Sequence, residues 1–238
     1  MSGDLAPRLD SVYVEQTVAR LEARIRARFP DRRLGDAAHL LQTAVPQIHE
    51  GFEASKSRRR HIRWAARVAS AVIVVVAVGT LALALRDPVM NGTDSSVDWL
   101  PIIETTVNDL IFGSIAVFFL WALPERLERR TLLDLLHRLR SLAHVVDMHQ
   151  LDKDPEQTRA QYHPTSFSPA RPIMNAEQLH YYLDYCSELV SLIAKTAALC
   201  AERTSDPVVL GTVSEIETVT SHMSQKIWQK ISLLPDPG

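Results

Sequence analysis

Glycine is scarce in this sequence: eight residues in a chain of 238. No glycine-rich phosphate loop and no serine nucleophile elbow occurs, and no pair of carboxylates stands at a spacing suited to acid–base chemistry. Only two cysteines are present, and neither HExxH nor CxxC is found. Cys186 and Cys200 fall fourteen positions apart in one predicted helix, about 21 Å at helical rise, whereas a disulfide needs Cα atoms within about 7 Å. They cannot pair within that helix, and their place in an apolar stripe marks them as core thiols in a reducing setting. Charge of one sign is also lacking. The net charge of −2 gives no general attraction to nucleic acid or anionic lipid, so only local clusters matter. Strand signals are absent, because the apolar residues recur at spacings of three and four rather than two.

What the sequence does have is two concentrated apolar blocks. The first starts at Trp64 and carries no charge from Val68 to Leu85. Those residues span about 27 Å as a helix, close to the ~30 Å hydrocarbon thickness of a bilayer. The second runs from Trp99 to Leu123. Its later half is apolar apart from Gly113 and Ser114, while its earlier half contains Glu104, Asn108 and Asp109. An aspartate there costs free energy unless it is protonated, paired or hydrated. Residues 1–30 carry arginines and no apolar run, unlike a signal peptide.

Orientation follows from basic residues. Arg58, Arg59, Arg60, Arg63 and Arg67 precede or open the first block, and Arg126, Arg129 and Arg130 follow the second. The connecting stretch holds Arg86 against Asp87, Asp94 and Asp98. The positive-inside rule then places both ends in the cytoplasm, with the arginines at the lipid headgroups and Trp64, Trp99 and Trp121 at the interfaces. High alanine and arginine with little lysine suggests a GC-rich bacterial genome, and hence an inner membrane.

The expected fold is therefore all-α: a two-helix transmembrane hairpin with a cytoplasmic helical bundle. Its parts are N-terminal cytoplasmic helices (1–63), the first span (64–85), a short outer loop (86–98) and the second span (99–123). A helix continues from that span (124–151), followed by a Pro-rich connector (152–174) and an antiparallel helical hairpin (175–238). Pro46 is expected to kink or divide the second N-terminal helix. Asn175 with Gln178, and Asp206 with Pro207, mark helix starts.

Three polar groups merit attention. Glu104, Asn108 and Asp109 would suit an oligomer contact or, in an alternative reading, a pore. His137, Arg140, His144 and Asp147 share one helical face, and a membrane-bound metal or haem protein would draw ligands there. Tyr181 and Tyr185, one turn apart, suit a partner surface. No motif fixes a metal or cofactor, so the expectation is none. The reading is a non-enzymatic membrane protein whose helical module mediates assembly or regulation, in contact with lipid. It pairs with a second copy or an unidentified protein rather than with nucleic acid.

Overall fold

A computed structural model describes residues 9–91, 100–159, 161–167 and 174–235; side chains are not described at 47–61, 63, 83–85, 87–91, 100–103, 105, 106 and 123–125. The described chain is helical with no strand: α1 (Ser11–Arg28), α2 (Leu34–Asn91), α3 (Leu100–Leu151), a 3-10 turn (Pro155–Thr158), α4 (Ala176–Ala201) and α5 (Pro207–Ser232). It divides into two compact units. One combines Met1–Phe52 with Thr131–Gly238, and the other is Glu53–Arg130.

In the first unit the helix starts are set by side-chain caps, which satisfy backbone N–H groups that lack an intrahelical partner. Asp10 accepts from the Val12 N–H at the start of α1. Asn175 and Gln178 form a reciprocal capping box on α4, and Asp206 accepts from the N–H groups of Val208 and Val209 ahead of α5. Pro207 follows at the first helical position, where its missing N–H costs nothing.

Contacts at both ends of each helix give the topology. On α1, the Leu9 N–H donates to Glu202, Arg24 pairs with Glu188, and the Arg28 guanidinium lies 3.6 Å from the centre of the Tyr181 ring. Numbers rise on α1 as they fall on α4, so the two run antiparallel. The turn after Phe29 folds α2 back along α1, where Glu22 meets His39 at 3.1 Å. Arg140 meets Glu215 at 3.3 Å and the Lys230 ammonium donates to the Gln150 carbonyl at 2.6 Å, so the end of α3 runs parallel to α5.

One apolar core joins all five helices. Helix α4 is its centre because it carries two overlapping stripes. Leu179, Leu183, Cys186, Val190, Ile193, Ala197 and Cys200 form the first. Tyr182, Tyr185, Leu189, Leu192, Thr196 and Leu199, also buried, form a second about 80° around the helix. Helix α5 supplies Val209, Val213, Ile216, Thr220, Met223 and Ile227 at alternating spacings of four and three. The N-terminal residues Val14, Val18, Leu21 and Ile25 of α1, and Leu34, Ala38, Leu41 and Val45 of α2, belong to this same core. Ile48 and Phe52, which continue the α2 stripe in the sequence, lie outside the described side chains.

One expectation is corrected. Pro46 does not divide its helix: α2 continues unbroken from Leu34 to Asn91. An interior proline forfeits one helical hydrogen bond, at a cost of about 3 kcal/mol. Five α2 side chains before it, Leu34, Ala37, Ala38, Leu41 and Val45, are buried in the core and offset that loss, at roughly 1.5–3 kcal/mol for each of the larger ones. In the connector, Asp154 caps the 3-10 turn through the Glu156 N–H, and Pro155 and Lys153 are buried, which docks this segment on the bundle.

The second unit holds parts of α2 and α3 that are apolar and outward-facing. Two stretches are long and apolar enough to cross a membrane: Trp64–Ala82 of α2 and a stretch of α3 that begins at Val107. Helix α2 continues past Leu85 to Asn91; the rest of the expected outer loop, 92–98, lies outside the described residues, as does Trp99. At Gly113 α3 faces α2 with room for a methyl group: a Cβ placed there would sit 3.6 Å from Ile73 Cγ2, an ordinary van der Waals contact.

Candidate functional site

The second unit contains a groove of about 510 Å³ between α2 and α3. Its walls are almost entirely apolar, with Thr80, Asp109 and Ser114 as the polar exceptions. Thr80 Oγ1 lies 2.9 Å from the Ala77 carbonyl and 3.4 Å from Asp109 Oδ2, and Ser114 donates to the Leu110 carbonyl at 2.6 Å. Of the three polar residues expected to matter in the second apolar block, only Asp109 lines the groove. All three are exposed, and Glu104 and Asn108 do not line it.

The basic residues that flank the apolar stretches are partly described. Arg67, Arg126, Arg129 and Arg130 are exposed, and the Arg126 guanidinium lies 5.7 Å from the Phe119 ring centre. The side chains of Arg58, Arg59, Arg60 and Arg63 lie outside the described residues.

The polar face at the end of α3 does not assemble as a ligand set. His137 and His144 are exposed, Arg140 pairs with Glu215, and Asp147 accepts from Gln150 Nε2 at 2.6 Å rather than orienting a histidine. Among the described residues no group of three or more His, Cys, Asp or Glu side chains is placed to hold a metal ion.

Tyr181 and Tyr185 both pack against the first helix and its end. Tyr185 is buried, with Phe29 edge-on at 6.2 Å and Arg24 at 5.4 Å from its ring centre, and Tyr181 lies under Arg28. The surface they form is occupied by α1 of the same chain. Guanidinium groups sit well over tyrosine faces because the ring quadrupole attracts the cation. Spacing along α4 shows that these tyrosines share a face but not that the N-terminus, more than 150 residues away, covers it.

The sequence gives no warning of a polar cluster at one end of the bundle. Gln150 is buried, its carbonyl accepts from Lys230, and its Oε1 has no hydrogen-bond partner. Lys153 is also buried, pairs with Asp152 at 2.5 Å and lies 5.8 Å from the Tyr182 ring centre. Burial holds the Lys230 pKa below the ordinary lysine value, against the pull of Asp154, Asp147 and Asp152. Both thiols are buried and free; burial pushes Cys186 well above the ordinary range and Cys200 up to about 12. Neither is a thiolate nucleophile near neutral pH.

His149 sits beside this cluster. Burial lowers its pKa below 6.5; Lys153 and Arg33 act in the same direction, while Asp152 and Asp36 oppose. The folded state thus binds the proton less readily than the unfolded state, so the unfolded chain gains protons first as pH falls. Stability is expected to be full above pH ~6.5 and to fall as pH drops below it. Urea midpoints measured at about pH 7.5 and 5.5 check this. His149→Gln should flatten the dependence in that window; an unchanged slope would assign it elsewhere.

Comparisons with protein-family models, with curated proteins and with solved structures find no match for this chain.

Proposed function

We propose that the chain is a two-pass membrane protein. Its apolar hairpin anchors a cytoplasmic helical bundle that mediates protein–protein assembly or regulation at the membrane, without catalysis. The observation that carries this reading is the exposure of large apolar side chains along both stretches. Val75 is 69% exposed on α2, and Phe112 is 71% exposed on α3. Contiguous apolar surface of that extent is unfavourable in water and favourable in hydrocarbon. The arginines on either side and the aspartates between support cytoplasmic ends and an outward loop.

An assembly role is supported by the bundle surface. Val145 and Met148 lie exposed one turn apart on α3, and Trp228 is exposed on α5. Aromatic and methionine side chains are enriched at interfaces. The partner is a second copy or another protein. Chemical crosslinking of the full chain in its native membranes tests this. A discrete crosslinked species, self or other, is expected; a monomer at every crosslinker concentration would contradict it.

A further inference from the structure

We propose that the groove between α2 and α3 holds one acyl chain of a phospholipid, with the lipid's ethanolamine head hydrogen-bonded to Asp109. This rests on the membrane reading above and names what fills the hairpin there. The two helices run antiparallel at the groove, since Thr80 meets Asp109 and Ile73 meets Gly113. Thr80 and Asp109 therefore stand at one end of it, and Val117, one turn beyond Gly113, at the other. Ile73, Val74, Val78 and Leu110 wall it between those ends. Ser114 spends its proton on the Leu110 carbonyl. Ligand sites have this make-up: a volume of about 300–1,000 Å³, mostly apolar walls and a few polar groups that fix orientation. At about 510 Å³, with a free polar end and an apolar length, the groove matches an amphiphile.

Length separates an acyl chain from a helix of a second copy. From Asp109 to Val117 the groove runs about 12 Å at helical rise, less than half of the ~30 Å hydrocarbon core. A chain from one leaflet needs no more. A spanning helix, about 10–12 Å across, would pack along the whole core. The head is chosen by hydrogen bonding and charge. Among the described residues Asp109 takes one hydrogen bond, from Thr80 at 3.4 Å. An aspartate side chain has about four acceptor sites, so several are left for a head that donates. From residue 86 to 109 the sequence holds Arg86 against Asp87, Asp94, Asp98, Glu104 and Asp109. That excess of carboxyls disfavours the anionic head of phosphatidylglycerol, because like charges brought together repel. Phosphatidylcholine has no N–H to donate. Phosphatidylethanolamine combines an ammonium group bearing N–H donors with no net charge.

Native mass spectrometry of the full-length protein tests this. The protein in mild detergent is offered equimolar phosphatidylethanolamine, phosphatidylcholine and phosphatidylglycerol with identical acyl chains. Phosphatidylethanolamine is expected to stay bound, favoured roughly fivefold or more over either competitor, as one net hydrogen bond supplies. Asp109→Leu should make the three lipids bind alike. Val78 and Val74 line the groove and are 60% and 54% exposed, so a larger side chain fits there without disturbing the helix contact. Val78→Trp, and independently Val74→Trp, should displace the lipid by taking its space. No retained lipid, retention of phosphatidylcholine equal to that of phosphatidylethanolamine, a second copy held in the lipid's place, or binding undiminished by both tryptophans overturns the assignment. Alkaline extraction run alongside separates the two readings. A chain released from membranes refutes the anchor. A chain that stays in the pellet but holds no phosphatidylethanolamine refutes only the groove assignment.

Discussion

Residues 131–238, expressed without residues 1–52, are expected to keep helical content but lose cooperative unfolding, and residues 9–52 added in trans should restore it. Helix α1 and the residue that ends it bury Val14, Val18, Leu21, Ile25 and Phe29. Phe29 sits edge-on to both Tyr182 (5.4 Å) and Tyr185 (6.2 Å) of α4. At about 1.5–3 kcal/mol for each large apolar side chain, removing α1 forfeits an upper estimate of roughly 8–15 kcal/mol. That is as large as the ~5–15 kcal/mol net stability of a typical domain. The second stripe of α4 would be left facing water. Near-UV circular dichroism of the tyrosines during urea unfolding distinguishes the states. A sharp transition at the same midpoint for 131–238 alone would show that α1 is an ornament of the bundle rather than part of its core.

A comparably large effect is expected in the second unit. Val75 and Phe118 are exposed within the two apolar stretches, at 69% and 66%. An arginine near the centre of a membrane helix costs about 2.5–3.5 kcal/mol for insertion, roughly a hundredfold or more in equilibrium. Val75→Arg combined with Phe118→Arg should move the chain from the membrane pellet to the supernatant on alkaline extraction. Val145→Arg, on an exposed position of the bundle, should leave it in the pellet. Retention of the double variant in the pellet would mean that these stretches are not what holds the chain there.

Much of the helical layout is legible from local pattern. The caps Asp10, Asn175 and Asp206 and the stripes at spacings of three and four locate α1, α4 and α5, because both signals act within one or two turns. What local pattern omits is which stripe meets which. The second face of α4 reads as a few tyrosines and leucines beside a stronger stripe, and its partner α1 is over 150 positions away. The contact between Lys230 and Gln150 joins residues 80 apart, and neither residue type announces burial. Pro46 misleads for the opposite reason: a local penalty is real, but burial of the residues before it outweighs the break. At the groove, Asp109 stands out by its position in an apolar block. Thr80, on the other helix and 29 residues earlier, becomes visible only once the two helices are paired.

The central claim, a hairpin with both ends on one side of a membrane, is tested most directly by cysteine accessibility. The native thiols give little background, since Cys186 and Cys200 are both buried with their pKa values raised by burial. Three variants, each with one added cysteine, suffice: Ala23→Cys on α1, Ser96→Cys between the apolar blocks and Ser221→Cys on α5. With a membrane-impermeant maleimide on intact cells, Ser96→Cys is predicted to react, and Ala23→Cys and Ser221→Cys only after permeabilisation. Equal labelling of all three in intact cells, or protection of Ser96→Cys with labelling at either end, would contradict the account.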